Sequence, residues 1–113
     1  MTSQHLFVYG TLRPGEPNAH LLERIGGTFR KAYVHGHFDS EGWGKTGGYP
    51  AIKLDPAGPR IDGYVFSSEH LDAHWTYLDD FEGDAYERRR VDAVLDAGET
   101  IRAFVYTIAN TLI

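Results

Sequence analysis

The chain has 113 residues, with 16 acidic and 11 basic side chains and a formal net charge of −5. A chain of this size carries one domain, residues 1–113, able to build a core without metal or disulfide staples, and its 42% apolar content is that of a globular protein. Mild acidity argues against nucleic acid as a partner, and the absence of cysteine excludes a disulfide framework, a thiolate nucleophile and a Cys-ligated zinc.

The first element is a short apolar run, Leu6-Phe7-Val8-Tyr9, which reads as a β-strand. It breaks into Gly10-Thr11-Leu12-Arg13-Pro14-Gly15. Gly10 lets the backbone turn and approach a ligand closely, because it has no Cβ. The amides of Gly10, Thr11 and Leu12 then lack ladder partners and form a concavity suited to an anion or an oxyanion. The plainer reading is a first strand and its loop. Asn18 is placed to cap a short helix through Leu21, Leu22 and Ile25, which Gly26-Gly27 stops. Residues 28–38 read as a strand or a bent pair of strands. A glycine-rich loop with Trp43 follows over residues 39–48, and residues 49–54 and 61–66 are strands joined by the turn-rich residues 55–60.

Ser67 or Ser68 can cap a second helix, with Glu69 in its first turn. Leu71, Trp75 and Leu78 recur at helical spacing and define its buried face, and that phase continues to Glu82. Desolvation there would raise the carboxyl pKa into the range of a general base. The alternative is a helix that ends before Glu82, leaving it to decorate a turn at Gly83. Asp79 and Asp80 fall off the apolar face and are expected in solvent. Residues 86–95 and 100–108 form a hairpin through Asp96-Ala97-Gly98-Glu99. Within it, Arg88-Arg89-Arg90 reads as a solvated edge strand rather than a binding patch. The order of elements argues for an α+β fold, a small mixed β-sheet that curls into a barrel or packs on a helix, with two helices. Nowhere is there a stretch long or apolar enough for a secretory signal or a membrane span, so a soluble cytoplasmic protein is expected.

His70 and His74, four apart, and His35 and His37, on one strand face, are pairs capable of chelation, but no flanking carboxylate completes a metal signature such as His-Glu-x-x-His. No phosphate-binding loop is present either.

Several of these motifs occur together in one family. Tyr9-Gly10-Thr11-Leu12-Arg13, Gly48-Tyr49-Pro50-Ala51 and Asp62-Gly63-Tyr64-Val65-Phe66 are three of them. Leu78-Asp79-Asp80-Phe81-Glu82-Gly83, Tyr86-Glu87-Arg88 and Ala103-Phe104-Val105-Tyr106 complete the set in order. On these the chain resembles the γ-glutamylcyclotransferase-like proteins across nearly its whole length. With Gly15-Glu16-Pro17-Asn18 and the Leu-Asp-Asp-Phe-Glu stretch, it is most similar to the γ-glutamylamine cyclotransferase branch. It is less similar to the glutathione-specific branch.

The resemblance implies release of 5-oxoproline from γ-glutamylamines or γ-glutamyl amino acids, a lyase- or acyl-transfer-type cyclisation in which the substrate's α-amine attacks its own γ-carbonyl. No protein nucleophile, metal or organic cofactor is then needed. It implies Glu82 as general acid and base, with Tyr9, Gly10, Thr11, Leu12 and Tyr86 as substrate-binding residues and Tyr106 as a weaker candidate. Arg13 is as well explained by a structural salt bridge as by an anion. The alternative is a non-catalytic protein that binds an amino-acid-like or anionic small molecule on the same fold. The leaving amine, the role of residues 39–48 and the oligomeric state stay open.

Overall fold

The computed structural model describes residues 3–38, 51–83 and 86–108. Within them lie strands β1 (Gln4–Val8), β2 (Thr28–Phe38), β3 (Ile52–Leu54), β4 (Arg60–Ser68), β5 (Tyr86–Leu95) and β6 (Thr100–Ile108). The helices are α1 (Ala19–Ile25) and α2 (Trp75–Glu82), with a 3-10 turn at Leu71–Ala73. The strand order is β3-β2-β4-β1-β6-β5, and β5 pairs back onto β2 through Ala32 with Leu95 and Tyr33 with Val94. The sheet therefore closes into a five-stranded barrel, with β3 as an extra strand on β2. All the pairings are antiparallel except that of β1 with β6, so the barrel is mixed.

Period-2 alternation explains both layers of the core. Phe7, Val34, Ile61, Val65, Ala93, Leu95, Ala103 and Val105 fill the barrel, as expected when few strands leave room only for side chains. Leu6, Val8, Phe66 and Tyr106 point outward and meet Leu22, Leu71, Trp75 and Leu78 from the helical segments. β1 thus contributes alternate residues to two cores.

The expected bounds of β2 and of the β5–β6 hairpin agree with the structure, and Gly98 supplies the positive φ (+99°) that its connection requires. The second helix differs. The backbone leaves helical geometry at His74 (φ −118°, ψ 3°), separating the 3-10 turn from α2. Leu71, Trp75 and Leu78 are nonetheless all buried, so the phase survives the break. Ser68 caps neither the 3-10 turn nor α2: its Oγ accepts from the amide of His70, the residue before the turn, at 3.0 Å and donates to the Gly26 carbonyl at 2.5 Å. Asn18 precedes α1 without a side-chain cap. Of the strand expected over residues 49–54, only Ile52–Leu54 is described as strand, and residues 49–50 lie outside the described residues. The loop over residues 39–48, with Trp43, lies outside them as well.

Among the described residues no helix is long and apolar enough to cross a membrane. The histidine pairs have other partners. His35 Nδ1 lies 2.9 Å from the Gly58 carbonyl, His37 Nε2 lies 2.8 Å from Asp55, and His74 Nδ1 lies 2.8 Å from the His70 carbonyl.

Gly63 shows how closely β4 approaches β1. A Cβ there would collide with the Val8 carbonyl oxygen and come within 2.8 Å of the Phe7 ring. Gly10 is the opposite case, since a Cβ there would meet no atom of the described residues within 4 Å. Gly63→Ala is expected to lower stability by about 1–3 kcal/mol, the usual cost of overpacking. Gly10→Ala should stay within about 0.5 kcal/mol of the wild type, as at a site with no steric demand. Urea unfolding of the two variants measures both.

Candidate active site

The site begins where β1 loses its ladder. Val8 is the last residue of the strand and pairs with Tyr64. Tyr9 still follows the inward direction of Phe7: the two rings stack at 6.3 Å and 24°. Its hydroxyl donates to the Tyr106 carbonyl at 2.6 Å, which ties the end of β1 to β6. The chain then turns through Gly10, Thr11 and Leu12. Arg13 holds the Gly10 carbonyl twice, through its own amide at 3.2 Å and its Nε at 2.9 Å. Asn18 holds Thr11 twice, its amide donating to the Thr11 carbonyl and its Nδ2 to Thr11 Oγ1, both at 2.9 Å.

The carbonyls of Gly10 and Thr11 are thereby committed to local partners. The amides of Gly10, Thr11 and Leu12 donate to no acceptor among the described residues. Gly10 has no positive φ, so the turn itself does not demand glycine, contrary to the expectation that it supplies conformational freedom. What glycine provides there is space. Arg13 completes its contacts with Glu16 at 3.7 Å, the structural role that the sequence left open for it.

Glu82 is the last residue of α2, where Gly83 (φ +83°) stops the helix and its amide closes the final turn on the Asp79 carbonyl at 3.0 Å. The helix ends at Glu82 and not before it, so the buried phase reaches the carboxylate. Glu82 has no hydrogen-bond or ion-pair partner among the described residues, and burial pushes its pKa up to about 7. Glu82 and the turn residues Gly10, Thr11 and Leu12 line one cavity of about 390 Å³.

The rest of that wall is mostly aromatic, formed by Phe7, Tyr9, Phe81, Tyr86 and Tyr106, with Val8 and Asn18. Among the described residues no Lys or Arg lines it. Burial holds the Tyr9 and Tyr106 phenols well above their ordinary pKa, and the nearby carboxylates reinforce this, Glu82 for both and Asp79 for Tyr106. Both hydroxyls therefore remain hydrogen-bond donors near neutrality.

All the residues singled out in the sequence, Tyr9, Gly10, Thr11, Leu12, Glu82, Tyr86 and the weaker Tyr106, meet on this cavity. Sequence reasoning missed Asn18 as a wall residue, because its type and position suit a helix cap equally well. It also missed Phe81, which lines the cavity while remaining 40% exposed. Asp79 is exposed as expected, yet it accepts the Tyr106 hydroxyl at 2.7 Å. Arg88 departs from the solvated-edge reading: its guanidinium lies over the Trp75 ring at 4.4 Å, while Arg89 pairs with Glu87 in a more exposed position.

The profile of the family described as gamma-glutamyl cyclotransferase, AIG2-like, matches residues 6–112. A Drosophila melanogaster protein with a provisional gamma-glutamylcyclotransferase name is 29% identical over 110 residues, spanning 93% of this chain and 69% of its own. Among solved structures, an Arabidopsis thaliana protein superposes with a TM-score of 0.73 at 27% identity. That match covers 97% of this chain and 64% of the Arabidopsis chain, so this chain spans just under two thirds of that relative. A Mus musculus AIG2-like protein superposes with a TM-score of 0.68 at 25% identity, over 99% of this chain and 81% of its own. The chain belongs to the gamma-glutamyl cyclotransferase, AIG2-like family of cyclotransferase-like enzymes.

Proposed function

We propose that the chain releases 5-oxoproline from γ-glutamylamines or γ-glutamyl amino acids, with Glu82 as general acid and base. The observation that carries this reading is the meeting, on one cavity, of a buried Glu82 and a turn, Gly10 to Leu12, whose amides find no acceptor among the described residues. The Drosophila relative's name points to the same chemistry.

The substrate brings both nucleophile and electrophile, so the protein has to fold it and carry protons from the attacking nitrogen to the departing one. Ionised Glu82 accepts a proton from the substrate's α-ammonium. The freed amine attacks the γ-carbonyl, and the amides of Gly10, Thr11 and Leu12 hold the α-carboxylate or the developing oxyanion. As the γ-amide C–N bond breaks, Glu82 gives that proton to the departing nitrogen. It then takes the second proton from the new ring nitrogen and passes it to the released amine, which leaves as an ammonium. One C–N bond forms, one breaks, and no water is consumed. Tyr9 and Tyr86 wall the glutamyl group. Among the described residues no Lys or Arg on the cavity competes for the Glu82 carboxylate.

The purified protein is expected to release 5-oxoproline from γ-glutamyl-ε-lysine or γ-glutamyl-alanine. Turnover of neither by the folded chain would favour a non-catalytic binding protein. Glu82→Gln should lower kcat/KM by about 10²–10⁴-fold, the usual share of a general base. The acid limb of the wild-type kcat/KM profile should climb through a pKa of about 7.

The same residue sets a stability trend. The folded carboxyl titrates at about 7 against 4.5 ordinarily, so between those values the folded chain keeps a proton that the unfolded chain has released. Stability from this group is complete below pH 4.5 and is lost as pH rises through about 7. Glu82→Gln removes that loss. The variant should be more stable than the wild type at pH 8 by on the order of 1–3 kcal/mol, measured by urea unfolding at pH 5 and pH 8.

A further inference from the structure

A second set of polar contacts joins the two halves of the cavity, and the mechanism above does not use it. The Tyr9 hydroxyl, one residue before Gly10, donates to the Tyr106 carbonyl at 2.6 Å. The Tyr106 hydroxyl, at the other end of the same residue, donates to Asp79 Oδ1 at 2.7 Å. Asp79 sits on α2, one helical turn before Glu82. Arg88 Nη1 lies 3.7 Å from the same Asp79 oxygen. The path thus runs from the 10–12 turn, through β6, to the helix that carries Glu82.

Arg88 fixes the far end of this path. Its guanidinium lies 4.4 Å from the centre of the Trp75 ring and 5.2 Å from that of Phe104. Its Nη1 is buried without a hydrogen-bond partner among the described residues. The guanidinium thus stands beside the Asp79 side chain that accepts the phenol. A carboxylate is a strong acceptor for a phenol, since a charged acceptor roughly doubles a hydrogen bond's strength. The phenols themselves do not ionise near neutrality, so the path carries no proton and acts as a spacer.

We propose that Asp79 and Arg88 are positioning residues that act through Tyr106 to hold α2, and so the Glu82 carboxylate, in its desolvated place against the 10–12 turn. The inference rests on the reading of Glu82 as the proton-transfer group, but its first test does not require turnover. α2 has only eight residues and is too short to be a stable helix alone. Cutting the Asp79–Tyr106 contact therefore frees the end of the helix, admits water to Glu82 and returns its carboxyl toward the ordinary range.

The experiment follows the Glu82 carboxyl by NMR titration in the wild type, Asp79→Ala, Tyr106→Phe and Asp79→Asn. Tyr106→Phe keeps the ring in the core and guards against loss of fold. Asp79→Asn keeps an acceptor for the phenol but forfeits the charge. In folded Asp79→Ala and Tyr106→Phe the Glu82 midpoint should fall by roughly one pH unit or more, as desolvation is relieved, with Asp79→Asn between them and the wild type. If the wild type turns over a γ-glutamyl substrate, kcat should fall about tenfold in the first two variants with KM within about threefold, the mark of a misplaced group. A Glu82 midpoint unchanged in folded Asp79→Ala and Tyr106→Phe would overturn the proposal, whatever their activity. A midpoint that shifts in a protein without turnover would uphold the positioning role while the assignment of the reaction falls.

Discussion

Strand β1 is gripped on both edges, antiparallel by β4 and parallel by β6, and the cavity follows from where that grip ends. Pairing with β6 extends over Leu6 and Phe7, and pairing with β4 stops at Val8. Up to that point β4 gives every residue of the strand a ladder partner. Beyond it the chain must satisfy its polar groups locally or leave them for a ligand. Arg13 and Asn18 take the Gly10 and Thr11 carbonyls and none of the turn's amides, so all three of its donors are left over among the described residues. The close seat of β4 against Val8, possible only because Gly63 has no Cβ, keeps the strand from shifting along that register.

The opposite wall is built on a conflict between pattern and charge. Leu71, Trp75 and Leu78 direct one side of the α2 segment into the outer core, and the same periodicity brings a carboxylate to its margin. Burying a charge without a partner costs free energy, and here the cost appears as a raised proton affinity. A cation on the cavity would relieve that cost and spoil the group as a base. Arg88, a cation that contacts α2, is occupied with Asp79 and two aromatic rings.

Much of this was legible in the sequence, for reasons that differ by element. β2 and the β5–β6 hairpin were readable because alternation and a glycine turn are local signals. The closure of β5 onto β2 and the parallel meeting of β1 with β6 were not, because they join residues far apart and leave no local trace. The 3-10 break at His74 was invisible because the buried phase runs through it unchanged. Glu82 was found because a carboxylate out of pattern is itself a signal. Asp79 and Arg88 sat in pattern with solvated neighbours, and only the fold shows the Tyr106 hydroxyl and the Trp75 ring waiting for them. Asn18 was noticed for the wrong task, since an amide side chain before a helix suits a cap as well as a neighbouring turn.

The shortness of α2 has a further consequence. Eight residues do not sustain a helix in water, so α2 keeps its shape only while Trp75 and Leu78 stay docked on the sheet. The barrel, closed around its own filled interior, has no such dependence on the helix. Local opening in proteins follows these differences, and segments with few buried anchors open at lower free energy than the whole molecule. Glu82 therefore rides on a unit that can undock and redock while the barrel remains intact, and the cavity is assembled anew each time it does.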